Sequence, residues 1–263
     1  MKGIILAGGT GTRLLPSTAV TSKQLLPVYD RPMIFYPLNS LIAAGIKDIL
    51  IIVAPNNSGD FLNLLGSMFR KRGVNISFMV QKRPSGLAEA FILGEDFIDG
   101  ESVTLALGDN IFEDDFTEAI RTFEKGGRIF AKEVSDPERF GVVEFDENGK
   151  VLSIEEKPDA PKSRYAIPGM YIFDNRVAEI AKTLAPSERG ELEIVDVHRR
   201  YLALGELDVR LLSGAYFDTG THDALLDASL YAREKKLSER FVPMMNEAIQ
   251  EFNIEFKKMV SLV

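Results

Sequence analysis

The sequence contains no cysteine and only two histidines among its 263 residues. Without cysteine the chain can form neither a disulfide framework nor a thiolate-bound metal site. A zinc site is also not expected, because His198 and His222 are too few for the usual ligand sets. We therefore interpret both histidines as structural. The lack of cysteine fits a cytoplasmic location.

The sequence also lacks long hydrophobic runs and an excess of positive charge. No stretch of about 18 apolar residues occurs, so we expect no membrane span, and the apolar run after Lys2 is too short for a signal peptide. The formal net charge is −8. Because such a surface repels nucleic acid and anionic lipid, we expect neither as a main partner. Any attraction for phosphate must then be local.

What the sequence does contain is an apolar strand that runs directly into a glycine-rich loop. The predicted strand Lys2–Ala7 is followed by Gly8-Gly9-Thr10-Gly11-Thr12-Arg13. Glycines let the backbone approach a ligand, free N–H groups point at anionic oxygens, and the arginine, with Lys23 further along, adds positive charge. We interpret the loop as a site for a polyphosphate. The alternative is a strand-to-helix turn that uses glycine only for its backbone angles.

The loop differs from two common phosphate-binding motifs. In the dinucleotide fingerprint G-x-G-x-x-G the last glycine would fall at Leu14, which is not a glycine. No Gly-Lys-Ser or Gly-Lys-Thr follows at the distance that a Walker A motif requires. The loop therefore fits neither of these two classes.

Strands and helices alternate through the first half of the chain, which is typical of a parallel sheet covered by helices. The length and the hydrophobic content of 45% suit one large globular unit. The predicted helices include Gly86–Asp96 and, near the end, Asn246–Met259, and short strands in hairpins are predicted between Ile129 and Phe173. We interpret the last helix as packed on its own core, and a contact between subunits is the alternative. The predicted fold class is α/β, a Rossmann-like, mostly parallel sheet flanked by helices, with a smaller hairpin-rich part and C-terminal helices.

An aspartate follows the predicted strand Val103–Leu107, in the segment Gly108-Asp109-Asn110. In open α/β sheets, ligands bind at the carboxyl ends of the strands. We therefore expect Asp109 to lie at the same edge as the glycine loop, although the sequence separates them widely. The alternative for an aspartate in this place is a turn former or a helix cap.

Further motifs follow in an order that is typical of one family of enzymes. They are Ser22–Pro27, Gln81, Gly86–Ala88, Asp136–Val143, Glu155–Pro158, Arg189–Ile194 and Asp218–His222. With the first loop, they make the chain resemble the sugar-phosphate nucleotidyltransferases as far as about residue 235. The resemblance implies that a sugar 1-phosphate attacks the α-phosphorus of a nucleoside triphosphate and releases pyrophosphate. It also implies one domain over residues 1–263, with a nucleotide-binding part at about 1–128, a sugar-binding part at about 129–220 and C-terminal helices at about 221–263.

The resemblance implies a role for each matching residue. The implied catalytic cations are Arg13, Lys23 and Lys157. The implied nucleotide-binding residues are Leu6, Gly8, Gly9, Gly11, Gln24, Gln81, Gly86 and Asp109. The implied sugar-binding residues are Asn110, Gly141, Glu156, Lys157 and Tyr171. The implied Mg²⁺ ligands are Asp109 and Asp218, and Mg²⁺ commonly takes one or two carboxylates together with phosphate oxygens and water.

Each of these roles has a plainer alternative. Most lysines are solvated charges, and an asparagine in a turn or a tyrosine on a strand needs no ligand. The acidic run Glu113-Asp114-Asp115 also resembles a metal site. We interpret it as the solvated start of a helix, which the helix dipole favours.

The motifs are most similar to those of family members that use dTTP and glucose 1-phosphate and are usually homotetramers, so we expect these small-molecule substrates and a homo-oligomer. Three positions depart from that pattern: Glu89 replaces a common glutamine, Phe140 replaces tyrosine and Pro168 replaces threonine. The departures concern the exact sugar more than the reaction. An enzyme that uses UTP is one alternative, and a non-catalytic sensor of nucleotide sugars is another.

Overall fold

The computed structural model describes residues 1–261, and the last two residues of the predicted C-terminal helical part, Leu262 and Val263, lie outside this range. The strands are β1 Lys2–Ala7, β2 Pro27–Val28, β3 Arg31–Pro32, β4 Asp48–Val53, β5 Asn75–Val80, β6 Val103–Leu107, β7 Asn110–Phe112, β8 Gly127–Glu133, β9 Gly141–Phe145, β10 Val151–Glu156, β11 Tyr165–Ala166, β12 Met170–Phe173, β13 Leu207–Leu211 and β14 Tyr216–Asp218. The helices are α1 Phe35–Ala43, α2 Ser58–Leu65, α3 Glu89–Leu93, α4 Glu95–Ile98, α5 Thr117–Arg121, α6 Val177–Lys182, α7 Ile194–Ala203, α8 His222–Glu234 and α9 Pro243–Val260.

A ten-stranded sheet runs in the order β10-β9-β11-β8-β12-β6-β1-β4-β5, with β13 paired to β8. At one end of this order, the neighbouring strands β6, β1, β4 and β5 run parallel to one another. β12 pairs antiparallel with both β6 and β8, and the strands beyond β8 continue antiparallel. Because β12 runs the other way, the residues just before it reach the edge where β6 ends. The predicted α/β class, with a Rossmann-like sheet and a hairpin-rich part, is confirmed.

β1 illustrates why the central strands are apolar at nearly every position. Ile4 and Leu6 belong to one hydrophobic core, and Ile5 and Ala7 belong to another. Successive side chains of a strand point to opposite faces, so a strand with helices on both sides needs apolar residues throughout. One core contains residues of α1, α2, α8 and α9, and the other contains residues of α3, α6 and α7. The glycine loop therefore starts from a strand that is fixed on both faces.

The predicted helix over Gly86–Asp96 is wrong in its extent. The segment contains the short helix α3 and the first two residues of a second short helix, α4, and Gly94 lies between the two helices. Gly86 is not helical, because its φ of +101° belongs to a region that glycine tolerates and other residues avoid. Ser85 and Ala88 instead form backbone hydrogen bonds with Leu192. This segment therefore joins the start of α3 to the chain that leads into α7.

The predicted C-terminal helix is present as α9 and packs on its own chain along its first half. Ala248 and Ile249 are almost fully buried in the core that also contains α1. Further along the helix, Phe256 is 50% exposed.

Within residues 1–261, no helix is both long enough and apolar enough to span a membrane. The ten-stranded sheet contains strands from both of the first two predicted parts of the chain. The division into a nucleotide-binding part, a sugar-binding part and C-terminal helices stays a prediction.

Candidate active site

A cavity of about 420 Å³ opens at the carboxyl end of β6. The implied site residues that line it are Arg13, Asp109, Asn110, Gly141, Glu156, Lys157, Tyr171 and Asp218. They come from distant parts of the sequence, and the reversed direction of β12 is one reason why they meet. The structure thus brings together all the implied sugar-binding residues and both implied metal ligands.

The glycine loop leaves little room for side chains. Gly11 has a φ of +63°, and a Cβ atom there would lie 2.8 Å from Thr18 Cγ2. A Cβ atom on Gly9 would lie 3.3 Å from Lys23 Cε, so the loop packs against the implied catalytic lysine. Gly11 also precedes the short 3-10 turn Thr12–Leu14. The loop therefore serves as a turn from strand to helical structure and also brings its backbone close to Lys23.

Cations and carboxylates share a partly buried space beside this loop. The Lys23 ammonium forms an ion pair with the Asp109 carboxylate, and the two side chains are only 14% and 12% exposed. The Arg13 guanidinium lies against Gly220, where an added Cβ atom would clash with it. Burial raises the pKa of Asp218, the Asp109 carboxylate raises it further, and the positive charges of Lys23 and Arg13 oppose this rise. Two carboxylates and two cations are therefore close enough to influence one another.

A small second sheet holds one aspartate in place. β14 pairs antiparallel with β7 and sets Asp218 opposite Asn110. Asn110 Oδ1 accepts hydrogen bonds from the Gly169 N–H and from the Tyr216 hydroxyl, both at 2.9 Å. Asn110 thus ties the segment before β12 to β14. This amide oxygen already accepts from two protein donors. Asn110 therefore helps to hold the segment before β12 and β14 in place.

Gln81 lies beside the first glycine of the loop and is 6% exposed. Its Nε2 donates a hydrogen bond of 2.7 Å to the Glu89 carboxylate. A Cβ atom on Gly8 would lie 2.9 Å from Gln81 Oε1. Because an ionised carboxylate can only accept, Glu89 determines which way the Gln81 amide points. The departure from the family pattern at position 89 is therefore in contact with an implied nucleotide-binding residue.

Leu6 and Gln24 are buried and lie behind the cavity. The Leu6 carbonyl accepts a hydrogen bond of 3.0 Å from the Gly108 N–H. Gln24 is 1% exposed, and its Oε1 accepts a hydrogen bond of 2.6 Å from the Ser22 hydroxyl. A Cβ atom on Gly108 would lie 2.9 Å from Gln24 Cγ. Both residues thus support the segment before Asp109, and their contact with a nucleotide stays a prediction.

The antiparallel strands and α7 build the remaining wall of the cavity. We call this wall the antiparallel part; it includes Gly141, Glu156, Lys157, Tyr171 and His198. Lys157 follows β10 and has a φ of +43°, a left-handed conformation that is rare for a residue with a Cβ atom and is often found at functional sites. Its N–H donates a hydrogen bond of 3.0 Å to the Phe140 carbonyl. Its ammonium lies 3.3 Å from the Glu156 carboxylate, and the side chain is 47% exposed. A Cβ atom on Gly141 would lie 3.5 Å from Glu156 Oε2, so these implied sugar-binding residues are neighbours.

Several cavity residues have no role implied by the sequence, namely Arg139, Arg189, Glu193, Tyr216 and His198. Asp136, and to a smaller degree Asp218, raises the pKa of Arg139, so this guanidinium adds a further positive charge to the cavity. Arg189 contacts Glu193 at 2.9 Å. Both arginines lie inside motifs that carry the resemblance. Their positive charge within these motifs could have predicted that they line a cavity expected to bind phosphate. His198 stands outside those motifs.

The interpretation of Glu113-Asp114-Asp115 as a solvated helix start is wrong for its first two residues. Glu113 and Asp114 accept hydrogen bonds of 3.0–3.2 Å from the backbone N–H groups of residues 213–215. Asp115 alone in this run acts at the start of α5, where it accepts a hydrogen bond of 2.8 Å from the Thr117 N–H. The run therefore fixes the segment that leads into β14.

Asp109 and Asp218 fit a hard divalent cation that arrives with a phosphate ligand. Within residues 1–261, no group of three or more acidic, histidine or cysteine side chains could hold an ion. Mg²⁺ does not need such a group, because it takes one or two carboxylates and completes its shell with phosphate oxygens and water. The two aspartates are thus a suitable donor set, although they do not form a complete cage.

Comparison with known proteins gives a consistent result. The chain matches the family model described as nucleotidyl transferase over residues 2–235. Glucose-1-phosphate thymidylyltransferase of Neisseria meningitidis is 54% identical over 241 residues, which are 89% of this chain and 83% of that protein. The protein of the same name from Mycolicibacterium smegmatis is 52% identical over 246 residues, which are 91% of this chain and 84% of that protein.

Solved structures show the same similarity. A Bacillus anthracis protein assigned as a glucose-1-phosphate thymidylyltransferase, in complex with a sucrose, has a TM-score of 0.84 at 45% identity, and the match covers 89% of this chain and 95% of that one. A UDP-glucose pyrophosphorylase complexed with UDP-glucose has a TM-score of 0.78 at 25% identity, with 89% and 98% of the two chains covered. The family match extends from β1 through α8 and includes the whole cavity, and the chain therefore belongs to the nucleotidyl transferase family.

Proposed function

We propose that this protein transfers a thymidylyl group from dTTP to glucose 1-phosphate and forms dTDP-glucose and pyrophosphate. The observation that carries the proposal is the convergence of Arg13, Lys23, Asp109 and Asp218 beside the glycine loop, next to a cavity of about 420 Å³. A cavity of this size suits a small polar ligand. The thymidylyltransferases that share about half of the sequence support the choice of substrates.

The chemistry explains why such a site needs no general base. A phosphate monoester has a second pKa of about 6, so it is an anionic nucleophile at neutral pH. The obstacle is the repulsion between two phosphate esters while negative charge builds on the leaving pyrophosphate. Catalysis then depends on positioning and on fixed positive charge. We assign Arg13 to the oxygens that leave as pyrophosphate and Lys23 to the reacting phosphate.

The antiparallel part of the cavity would hold the sugar phosphate. We assign Lys157 to the phosphate of glucose 1-phosphate, because its ammonium is half-exposed and its backbone conformation fixes the start of the side chain. Glu156 would accept hydrogen bonds from sugar hydroxyls, and the backbone at Gly141 beside it would add further contacts. Tyr171 and Asn110 would complete this wall.

Magnesium is the metal that we propose. Asp109 and Asp218 would hold the ion, and bound Mg²⁺ would supply positive charge to the phosphates. The ion pair between Lys23 and Asp109 sets the lysine beside this position. The same carboxylate would therefore orient a catalytic cation as well as a metal.

Gln81 would read the base. Its Nε2 is occupied by Glu89, and its Oε1 remains close to Gly8 in the loop. Thymine and uracil carry an N3–H that can donate to this oxygen, whereas cytosine has an acceptor at that position. The arrangement therefore favours a thymine or uracil nucleotide over cytosine.

The use of UTP is the second candidate. The fold similarity to a UDP-glucose pyrophosphorylase supports it. The methyl group that separates thymine from uracil is worth only about 1–3 kcal/mol in a pocket. We further propose, from the resemblance, that the protein is a cytoplasmic homotetramer.

A substrate matrix tests the proposal. The purified protein is mixed with Mg²⁺, one of four nucleoside triphosphates and one of several sugar 1-phosphates, and pyrophosphate release is measured. We expect the fastest release with dTTP and glucose 1-phosphate. A faster reaction with UTP would favour the second candidate. Binding of dTDP-glucose by folded protein, without pyrophosphate release from any pair, would overturn the enzyme in favour of a sensor of nucleotide sugars.

A further inference from the structure

Thr219 is a buried residue that joins the two segments that carry the aspartates of the site. It has 0% exposure. Its N–H donates a hydrogen bond of 3.1 Å to the Asp109 carbonyl. Its hydroxyl donates a second hydrogen bond, of 2.7 Å, to the same carbonyl. The residue directly before it is Asp218, so Thr219 links the backbones of both aspartates across 110 positions of the sequence.

These two hydrogen bonds continue the pairing of β14 with β7 beyond the end of the strands. The last pair of the ladder is Asp218 opposite Asn110, and each strand has only three residues. The Asp109 side chain is also held by the Lys23 ammonium and by Asn110 Nδ2, the latter at 3.3 Å. Those contacts fix one carboxylate, whereas the bonds from Thr219 fix the position of one aspartate relative to the other.

The residues around Thr219 are packed closely. Its hydroxyl oxygen lies 3.1 Å from the sulfur of Met33, which has 0% exposure and belongs to the hydrophobic core. The next residue is Gly220, where an added Cβ atom would lie 2.4 Å from Arg13 Nη2 and 3.3 Å from Asp218 Oδ1. Because water does not reach the hydroxyl, a lost hydrogen bond here cannot be replaced by solvent. Thr219 therefore stands between the apolar core and the charged groups of the site.

We propose that Thr219 is a positioning residue that sets the separation of the Asp109 and Asp218 carboxylates for a divalent cation. This inference rests on the proposed function, because it requires that the two aspartates hold the metal that arrives with the phosphates. Two carboxylates repel each other while no cation is bound, so the backbone that carries them has to resist their separation. Residues that orient metal ligands contribute to metal affinity although they do not touch the ion.

Thr219→Ala and Thr219→Ser test the hydroxyl, because both variants lack the γ-methyl group and only the serine keeps the donor. Mn²⁺ is the probe, and the free ion is measured by electron paramagnetic resonance at a constant, saturating concentration of dTDP-glucose, so the readout does not depend on turnover. We expect Thr219→Ala to weaken Mn²⁺ binding about 10–100-fold. Thr219→Ser should restore the native affinity to within about threefold, and the affinity for dTDP-glucose without metal should be the same in all three proteins.

Two outcomes would overturn the inference. Native Mn²⁺ affinity in Thr219→Ala would show that the hydroxyl does not position the aspartates. An equal loss in Thr219→Ala and Thr219→Ser would show that the methyl group, and thus packing alone, is responsible.

Thr104→Ala is the matched control. Thr104 also has 0% exposure, and its hydroxyl oxygen also lies close to a methionine sulfur, 3.3 Å from Met1 Sδ. It stands near the start of β6, five residues before Asp109. Urea denaturation measures the stability of every variant. We expect Thr104→Ala to bind Mn²⁺ like the native protein, and a loss of Mn²⁺ affinity as large as that of Thr219→Ala would assign the effect to stability and overturn the inference.

Thr219→Val takes the place of Thr219→Ala if the smaller side chain does not fold, because valine fills the space of threonine and lacks only the hydroxyl. The same weakening of Mn²⁺ binding is expected. Tight Mn²⁺ binding by the native protein together with unchanged binding by the variant would count against the inference and leave the proposed function intact. Failure of the native protein to release pyrophosphate from dTTP and glucose 1-phosphate would count against the proposed function instead.

Discussion

The loop part of the site, which comprises Gly8–Arg13, Lys23, Gln81 and Asp109, differs from the antiparallel part in how its polar groups are paired. Lys23 and Asp109 form an ion pair with side chains that are 14% and 12% exposed. Lys157 is 47% exposed beside Glu156. His198 is buried with both ring nitrogens unpaired. The loop part is thus preorganised in the free protein, whereas the antiparallel part contains polar groups that are exposed or have no partner within residues 1–261.

This difference is useful for a reaction between two anions. Preorganised charge needs no rearrangement when the phosphates approach, so it contributes most where charge changes during the reaction. Groups that find partners only on binding contribute to the choice of substrate, because an analogue that lacks the complementary group leaves them unpaired. We therefore expect changes in the loop part to lower kcat and changes in the antiparallel part to alter sugar preference.

The largest expected effect is that of Lys23→Ala. We expect kcat to fall by ~10²–10³, the cost of removing one preorganised group that stabilises developing charge. Steady-state pyrophosphate release measures the change. Lys150→Ala, at an exposed position directly before β10, is the matched control and should keep the native rate. A native rate for Lys23→Ala would remove this lysine from the mechanism and would show that its ion pair with Asp109 is not needed for turnover.

Gly86→Ala tests the point where the two parts of the site are joined. A side chain at Gly86 would clash with the Leu192 backbone, and the φ of +101° is unfavourable for alanine. We expect the free energy of unfolding to fall by about 3 kcal/mol, as measured by urea denaturation. Gly149→Ala is the control that separates backbone strain from steric clash. Gly149 also has a positive φ, +79°, but has open space around it, so alanine there would be strained without a clash. Its loss should be about 1 kcal/mol, and equal losses for the two variants would mean that the contact with Leu192 is unimportant.

Asp218→Asn addresses the proposed metal. The variant should fold normally, because the carboxylate is repelled by Asp109 and does not support the core. The Mg²⁺ concentration for half-maximal turnover should rise about tenfold, since one of two carboxylate ligands is lost. Asp223→Asn, in the first turn of α8 and exposed, is the control. A superimposable Mg²⁺ titration would exclude Asp218 as a ligand.

The smallest expected effect is that of Glu89→Gln. A glutamine can donate as well as accept, so it no longer fixes the orientation of the Gln81 amide. We expect the preference for dTTP over CTP, as the ratio of kcat/KM values, to fall by about 3–10-fold. Glu95→Gln breaks the surface ion pair with Lys182 and should leave the ratio unchanged. If Glu89→Gln also leaves it unchanged, the base is not read through this pair.

The sequence alone could predict those features that depend on a run of consecutive residues. β1 and the glycine loop could be predicted because a continuous apolar run, buried on both faces, ends in glycines. The position of Asp109 followed from the rule that parallel strands end at one edge. The pairing of Asp218 with Asn110 could not be predicted, because β7 and β14 have three residues each and too short a pattern to detect.

The antiparallel part of the site was harder to predict for a different reason. His198 occupies the apolar face of α7, where a buried histidine is indistinguishable in sequence from a core residue. Its unpaired nitrogens become visible only when the neighbouring strands are in place. The role of Glu113–Asp115 was predicted wrongly because it also depends on distant parts of the chain. The hydrogen-bonding partners of this run are about 100 residues away in the sequence.

The pairing of β14 with β7 has a consequence for synthesis of the chain. It joins residues as far as 108 positions apart, Asp218 and Asn110, so the glycine loop, Lys23 and Asp109 emerge from the ribosome long before the strand that carries Asp218. A nascent chain that ends ahead of β14 lacks one of the two carboxylates, however well its first strands have folded. The growing polypeptide therefore cannot assemble the complete charge cluster until β14 has been synthesised.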